Sequence, residues 1–450
     1  MQQEKTDLRK EKREMNYQEV TDYVESLQVY GSVPGLDNII HLCEELGNPQ
    51  EKLSFVHIAG TNGKGSVLAF VSTILKEAGY RTGRYLSPTI FEYRERFQIG
   101  GKVISKKDLC RLMGGVKDAC DRLVEKGKSH PTVFEVETAL AFLYFAEKEC
   151  DIVVLETGLG GREDATNLIK NTLVAAFASI SMDHMAILGD TLTKIASQKA
   201  GIIKKDCLAV TVRQKQEVMQ VLSDECKEKE VLLCVAEPEK VSGVKSTLEK
   251  QRFSYGEYKN LEISLAGRYQ IDNAVTAVEV IRALDKKGYP VSEKALRAGL
   301  LRTTWPGRFQ ILCKKPIFIA DGAHNRDAAK RLAETIRFYF TNRRIIYIMG
   351  MLRDKEQEEV IRQTYSFAEQ ILTVPTKGAR GTSSYELAME IQKYHSNVTS
   401  LDSVEEAVEL SFLMADKDTV IISFGSLSYL GRLIEVVENR DKIRSDLHGK

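Results

Sequence analysis

The sequence is short of several things. Its 450 residues include one tryptophan, nine prolines and seven histidines, and no run of 18 apolar residues. Without such a run there is no transmembrane helix. The N-terminus, MQQEKTDLRKEKREMNY, has charge but no apolar stretch of the kind a secretory signal needs. Net charge is lacking too, since 64 Lys and Arg stand against 63 Asp and Glu. That balance argues against a protein that grips nucleic acid or a membrane surface through bulk charge. None of the eight cysteines forms a C-x-x-C pair, which removes the usual zinc and thiol–disulfide motifs and any disulfide framework. They read as free, mostly buried thiols of a reducing compartment, the cytoplasm.

What is present is alternation. Short apolar runs trade places with longer amphipathic stretches, the pattern of βα units on a parallel sheet. Strands are expected at 53–59, 81–86, 151–155, 173–180 and 208–212, and helices at 66–78, 135–149, 192–200, 217–229 and 273–284. Residues 230–262 read as a β-rich excursion without a functional signal. A second alternating series starts near 316 and runs to a helix from 429. The Pro-Gly turn at 306–307, beside the only tryptophan, falls between the two series. At about 150 residues per domain the length allows two or three domains. The expectation is an α/β protein with an ATP-binding domain over 1–304, whose first fourteen residues are a disordered lead-in. A smaller, Rossmann-like, doubly wound domain is expected over 305–450.

The strongest local signal is Gly60-Thr61-Asn62-Gly63-Lys64-Gly65-Ser66, placed after an expected strand and before an expected helix. Glycines let backbone N–H groups approach phosphate oxygens, and the helix N-terminus carries partial positive charge. Lys64 is positioned to reach β- and γ-phosphates. The run departs from G-x-x-x-x-G-K-[ST] in its shorter loop and in the glycine between Lys64 and Ser66.

In open parallel sheets, ligands bind at the carboxyl ends of strands. Ser87, Glu156 and His184 each follow an expected strand, as the glycine-rich loop does. A carboxylate beside a phosphate loop suits magnesium, which prefers oxygen ligands. His184 is less expected there, because magnesium rarely takes imidazole; by itself it reads as a structural histidine. Ser87, before Pro88, reads by itself as a turn residue. In the second series, Asp321 follows strand 316–320 and either accepts from ribose hydroxyls or caps the next helix.

Taken together these segments closely resemble the folylpolyglutamate synthase/dihydrofolate synthase family, a branch of the Mur ligases. The matching runs include GTNGKGS at 60, FEVETALAF at 134, VLETGLGG at 154, MDH at 182, KAGIIK at 199, WPGRFQ at 305, DGAHN at 321 and GSL at 425. The resemblance implies a P-loop Mur-ligase-like N-terminal domain with ATP held between it and the C-terminal domain. It assigns residues 60–66, Asn273, Arg308 and Asp321 to ATP, and Ser87, Glu156 and His184 to magnesium. A monovalent cation such as K+ is a second candidate. It matches Lys199 to a lysine that the family carbamylates, although the bare sequence reads Lys199 as an exposed helix residue. His324 and Ser426 match positions beside the incoming glutamate, and Lys64, His184, Lys199 and His324 form the implied catalytic set. The chain departs from the family pattern at Thr89, Arg94, Thr157, Glu163 and Ser428, changes that bear on the acceptor more than on ATP.

The implied reaction joins L-glutamate to the carboxylate of a folate, and of dihydropteroate, through an acyl phosphate, releasing ADP and phosphate. The expected partners are small molecules only, with no nucleic acid and no membrane, for a monomer. Two other readings stand beside it. A Mur-type ligase for cell-wall precursors would carry a further N-terminal domain, whereas 59 residues precede Gly60. A P-loop switch without ligase chemistry leaves the second domain and the strand-end carboxylate unexplained.

Overall fold

The computed structural model describes residues 15–448 except Ser32 and Ala379. The lead-in expected over residues 1–14 lies outside the described residues.

Strand β1 (Phe55–Ala59) is buried along its whole length, as a strand covered on both faces must be. With β2 (Thr82–Tyr85), β3 (Phe97–Ile99), β4 (Lys102–Val103), β5 (Ile152–Glu156), β6 (Thr172–Phe177), β7 (Leu208–Val212) and β8 (Leu233–Ala236) it forms an eight-stranded sheet. The order is β4-β3-β2-β5-β1-β6-β7-β8. From β2 to β8 all pairs are parallel, while β3 and β4 add an antiparallel edge. That edge escapes sequence patterning because strands of three and two residues are too short to show a period. The order β5-β1-β6 places the end of β1 between two strand ends reached later in the chain, the usual position of a ligand crevice.

One face of the sheet is covered by the helices Lys64–Glu77, Tyr269–Lys286 and Glu293–Arg302, the other by Lys106–Glu125 and Val133–Glu147. The helix Lys64–Glu77 is buried nearly all round, from Val67 through Leu75. Its close approach to Glu293–Arg302 depends on Gly299, where a Cβ would stand 2.4 Å from the Ile74 Cα. The β-rich excursion is a three-stranded antiparallel sheet of β9 (Ser242–Ser246), β10 (Gln251–Tyr255) and β11 (Tyr258–Ile263).

The second series folds around β12 (Gln310–Lys314), β13 (Ile317–Ala320), β14 (Ile345–Met349), β15 (Gln370–Thr373), β16 (Val398–Ser400) and β17 (Val420–Phe424). The order is β12-β13-β17-β14-β15-β16, parallel except for the β12–β13 hairpin. Asn325 caps the helix Arg326–Tyr339, its side chain accepting from the Ala328 N–H at 2.9 Å. Among the described residues no helix is long and apolar enough to cross a membrane. All eight cysteines are free, six of them buried and two half-buried.

Candidate active site

The glycine-rich loop leaves β1 and turns at Gly63, whose φ is +93°; a Cβ there would lie 2.5 Å from the Asn273 Oδ1. Only glycine satisfies both conditions without strain. The turn ends with the helix beginning at Lys64. The Lys64 Nζ donates to the Gly60 carbonyl at 3.1 Å and lies 3.9 Å from a Glu156 carboxylate oxygen.

Lys199 corrects the bare sequence reading. It is 4% exposed, and its Nζ donates to the same Gly60 carbonyl at 3.0 Å. The helix Leu192–Ala200 turns it inward, where burial, and then the nearby Lys64, push its pKa down to about 7. Two amines thus converge on one carbonyl beside a phosphate loop, so an anion there gains from both.

Glu156 ends β5 and is buried. Burial pushes its carboxyl up to about 7, against the pull of Lys64, Arg308 and the Ser87 backbone N–H. His184 is half-exposed in a left-handed conformation at φ +51°. Its Nε2 is 3.8 Å from Asp183, and burial lowers its pKa.

The second domain closes the site from the other side. Asp321 does not cap the helix; its carboxylate accepts from the backbone N–H groups of Phe309 and Ala323, both at 2.8 Å. His324 has Nδ1 2.8 Å from the Gly322 carbonyl, so Nδ1 carries the hydrogen and Nε2 is free to accept. Burial pushes its pKa down to about 4, which keeps it neutral at physiological pH. The Asn325 side-chain amide donates to Asp183 at 3.0 Å, and the Asn62 amide donates to Asp327 at 3.0 Å, joining the phosphate loop to the second domain. The Arg331 guanidinium adds a bond to the Ser179 hydroxyl at 2.9 Å.

One cavity of about 190 Å³ gathers the expected residues from Gly60 through Ser66 with Ser87, Glu156, His184, Lys199, Asn273, Arg308, Asp321 and His324. Ser426 is the exception. It does not line the cavity, and its buried hydroxyl lies 2.9 Å from that of Ser428. Two further cavities, of about 400 and 270 Å³, meet this one at Ser87. A further cleft, about 790 Å³, shares Tyr269 and Arg331 with the site but none of the strand-end groups.

The donor set suits magnesium carried in with a nucleotide. Glu156 supplies one buried carboxylate and Ser87 a hydroxyl, and magnesium takes one or two carboxylates with phosphates and water. Among the described residues there is no cluster of three or more His, Cys, Asp or Glu side chains to hold a metal alone.

The sequence matches the Mur ligase middle domain over residues 58–281 and the Mur ligase glutamate ligase domain over 307–427. It is 33% identical over 428 residues to the dihydrofolate synthase/folylpolyglutamate synthase of Bacillus subtilis, covering 92% of this chain and 97% of that one. The chain belongs to the folylpolyglutamate synthase/dihydrofolate synthase family. Among solved structures, the family member from Escherichia coli in complex with DHPP and ADP superposes with a TM-score of 0.83 at 29% identity, covering 94% of this chain and 98% of that one. The Mycobacterium tuberculosis folylpolyglutamate synthase complexed with ADP gives 0.86 at 28%, over 94% and 99%.

Four residues in the site go unassigned by sequence reasoning. Asp183 stands beside His184 in the MDH run and carried a signal by position. Asn325 closes the DGAHN run. Tyr269 was lost because the helix expected from 273 begins at Tyr269. Arg331, on a solvent-patterned helix, had no sequence signal.

Proposed function

We propose that this chain is an ATP-dependent ligase that joins L-glutamate to the carboxylate of a folate, and of dihydropteroate, through an acyl phosphate. The observation that carries the reading is the convergence of Lys64, Glu156, Asp321 and His324, from two sheets, on one cavity. A phosphate cradle alone would serve any nucleotide switch. A second domain bringing a neutral histidine to the phosphate loop serves a two-substrate reaction.

A carboxylate does not condense with an amine at neutral pH, because its oxygen is a poor leaving group. Transfer of the γ-phosphoryl group of ATP to the acceptor carboxylate supplies a good one. The glutamate amine then attacks the acyl carbon and phosphate departs. Charge spreads over the transferring phosphoryl oxygens, where Lys64 supplies fixed positive charge. Gly60 through Ser66 hold the phosphates, Asn273 and Arg308 the nucleoside, and Asp321 the ribose. The neutral His324 Nε2 accepts a hydrogen from the incoming amine. Magnesium, held by Ser87, Glu156 and His184 with the phosphates, would neutralise phosphate charge when bound. Lys199, neutral in a large fraction near pH 7, is able to take up carbon dioxide as a carbamate and so add a carboxylate.

Because an acyl phosphate hydrolyses readily, water has to be kept out. The bonds from Asn62 and Asn325 across the cleft support closure of a 1–304 domain on a 305–450 domain, with residues 305–307 as hinge. The acceptor is assigned to the 270 Å³ cavity beside Ser87, which has an apolar wall of Val33, Pro34 and Phe134. We place the enzyme in the cytoplasm as a monomer. The test is glutamylation of dihydropteroate and of tetrahydrofolate with ATP and magnesium. ATP consumption that ignores the acceptor would overturn the reading.

A further inference from the structure

Behind the phosphate loop lies the 400 Å³ cavity, which shares Glu156 and Arg308 with the site above but also holds Arg84, Lys76, Glu95 and Arg302, charges the reaction above does not use. Strand alternation on β2 sends Tyr85 into one core and Arg84 to the opposite face. There the Arg84 Nε donates to the Ser72 hydroxyl at 2.9 Å. Its terminal nitrogens make only long contacts, 3.4 Å to Thr73 and 3.5 Å to Gln98. The guanidinium stands 5.9 Å from the ring centre of Trp305, which in turn packs on Gly65. Burial alone lowers the Arg84 pKa to about 10, with no carboxylate opposing it. Lys76, on the same side, directs its ammonium toward the Gly100–Gly101 turn.

The other charges of this cavity are engaged. Arg302 pairs with Glu77. Glu95 accepts backbone N–H groups of Ile90 and Phe91. Glu156 faces Lys64. Two cations therefore remain without a counter-charge among the described residues, one of them desolvated under an aromatic ring. A cation so placed is unfavourable until an anion joins it, and a guanidinium fork matches a carboxylate. The cavity meets the reaction centre at Gly65, Ser87, Glu156 and Arg308.

We propose that this cavity is a carboxylate subsite, in which Arg84 and Lys76 receive a carboxylate of a glutamate unit held at the reaction centre. The proposal rests on the ligase reading. The carboxylate belongs either to the incoming amino acid or to the glutamyl chain of the acceptor. Arg84→Met removes the charge and keeps the stem. In steady-state kinetics it is expected to raise one KM by roughly ten- to a hundredfold, with the KM for ATP at its wild-type value. A rise for L-glutamate identifies the amino acid as the source. A rise for triglutamyl but not monoglutamyl tetrahydrofolate identifies the chain. Unchanged KM values for all of these overturn the proposal. Should Arg84→Met fail to fold, Arg84→Lys and the exposed Lys76→Ala carry the test, and unchanged KM values in both overturn it. Glutarate titrated calorimetrically into wild-type protein without ATP separates this subsite from the ligase reading. It is expected to bind wild type and to bind Arg84→Met at least tenfold more weakly; equal binding, or none to wild type, overturns the subsite whether or not turnover is seen.

Discussion

Replacing Lys199 by methionine is expected to make the fold more stable and the enzyme worse. The amine is 4% exposed and its pKa falls from 10.5 to about 7. At ~1.36 kcal/mol per pH unit this sets a penalty of about 5 kcal/mol on the folded protein when the lysine is charged. Its bond to the Gly60 carbonyl returns about 2 kcal/mol. At pH 6.5 the net gain for Lys199→Met is therefore on the order of 3 kcal/mol. The sign follows from proton counts. Below pH 7 both folded and unfolded chains hold the proton, and the folded one bears the full cost. Between pH 7 and 10.5 the unfolded chain holds a proton that the folded one has lost, so wild-type stability rises with pH. The advantage of the variant should then shrink from pH 6.5 to 8 to 9.5. Urea unfolding followed by fluorescence of Trp305, which packs on Gly65 of the phosphate loop, measures this in carbonate-free buffer. Turnover should fall at all three pH values. A stability difference that is absent at pH 6.5, or constant with pH, would refute the depressed amine.

Other perturbations follow from the same geometry. Lys64→Ala should retain the wild-type melting temperature within a few degrees and lose on the order of 10²-fold or more in kcat, read by phosphate release. Gly63→Ala forces a methyl group against the Asn273 side chain at φ +93°; it should weaken nucleotide binding in calorimetry and cost about 1–3 kcal/mol of stability. Glu156→Gln should be the more stable protein above pH 7 without ligands. The wild-type carboxyl, raised to about 7, costs nothing below pH 4.5 and increasingly as pH climbs to 7. Its melting curves at pH 5 and 8 check the sign, and its turnover should be lost. Asn325→Ala removes a helix cap worth about 1 kcal/mol together with the bridge to Asp183; its thermal unfolding should fall accordingly, and small-angle scattering with both ligands should stay more extended than wild type.

Much of the fold was legible because its central strands are mostly apolar runs bounded by turns. The strand expected at 208–212 and the helix expected at 192–200 appear with those limits. Strand-end logic pointed to Glu156, which lies buried at the end of β5 in the cavity that holds the phosphate loop. The burial of Lys199 was not legible. The residue stands at i+7 of the inward stripe of Leu192, Ile195 and Ala196, but a lysine in the last turn of a helix reads by residue type as a solvent-facing charge that complements the helix C-terminus. Arg84 was hidden for a similar reason. In a strand of four residues a single arginine looks like a solvent-facing position, and only the helix and Trp305 laid over it reveal the enclosure. Ser426 shows the converse. It follows its strand as the motif suggests, yet its hydroxyl turns to Ser428 because the chain enters a helix at once.

The central claim is glutamyl transfer, and mass spectrometry of the products tests it most directly. Purified protein with ATP, magnesium and labelled L-glutamate should add one glutamyl unit to dihydropteroate and extend tetrahydrofolate, with ADP and phosphate formed in step. Tight ATP binding with no glutamyl product on either acceptor would contradict it.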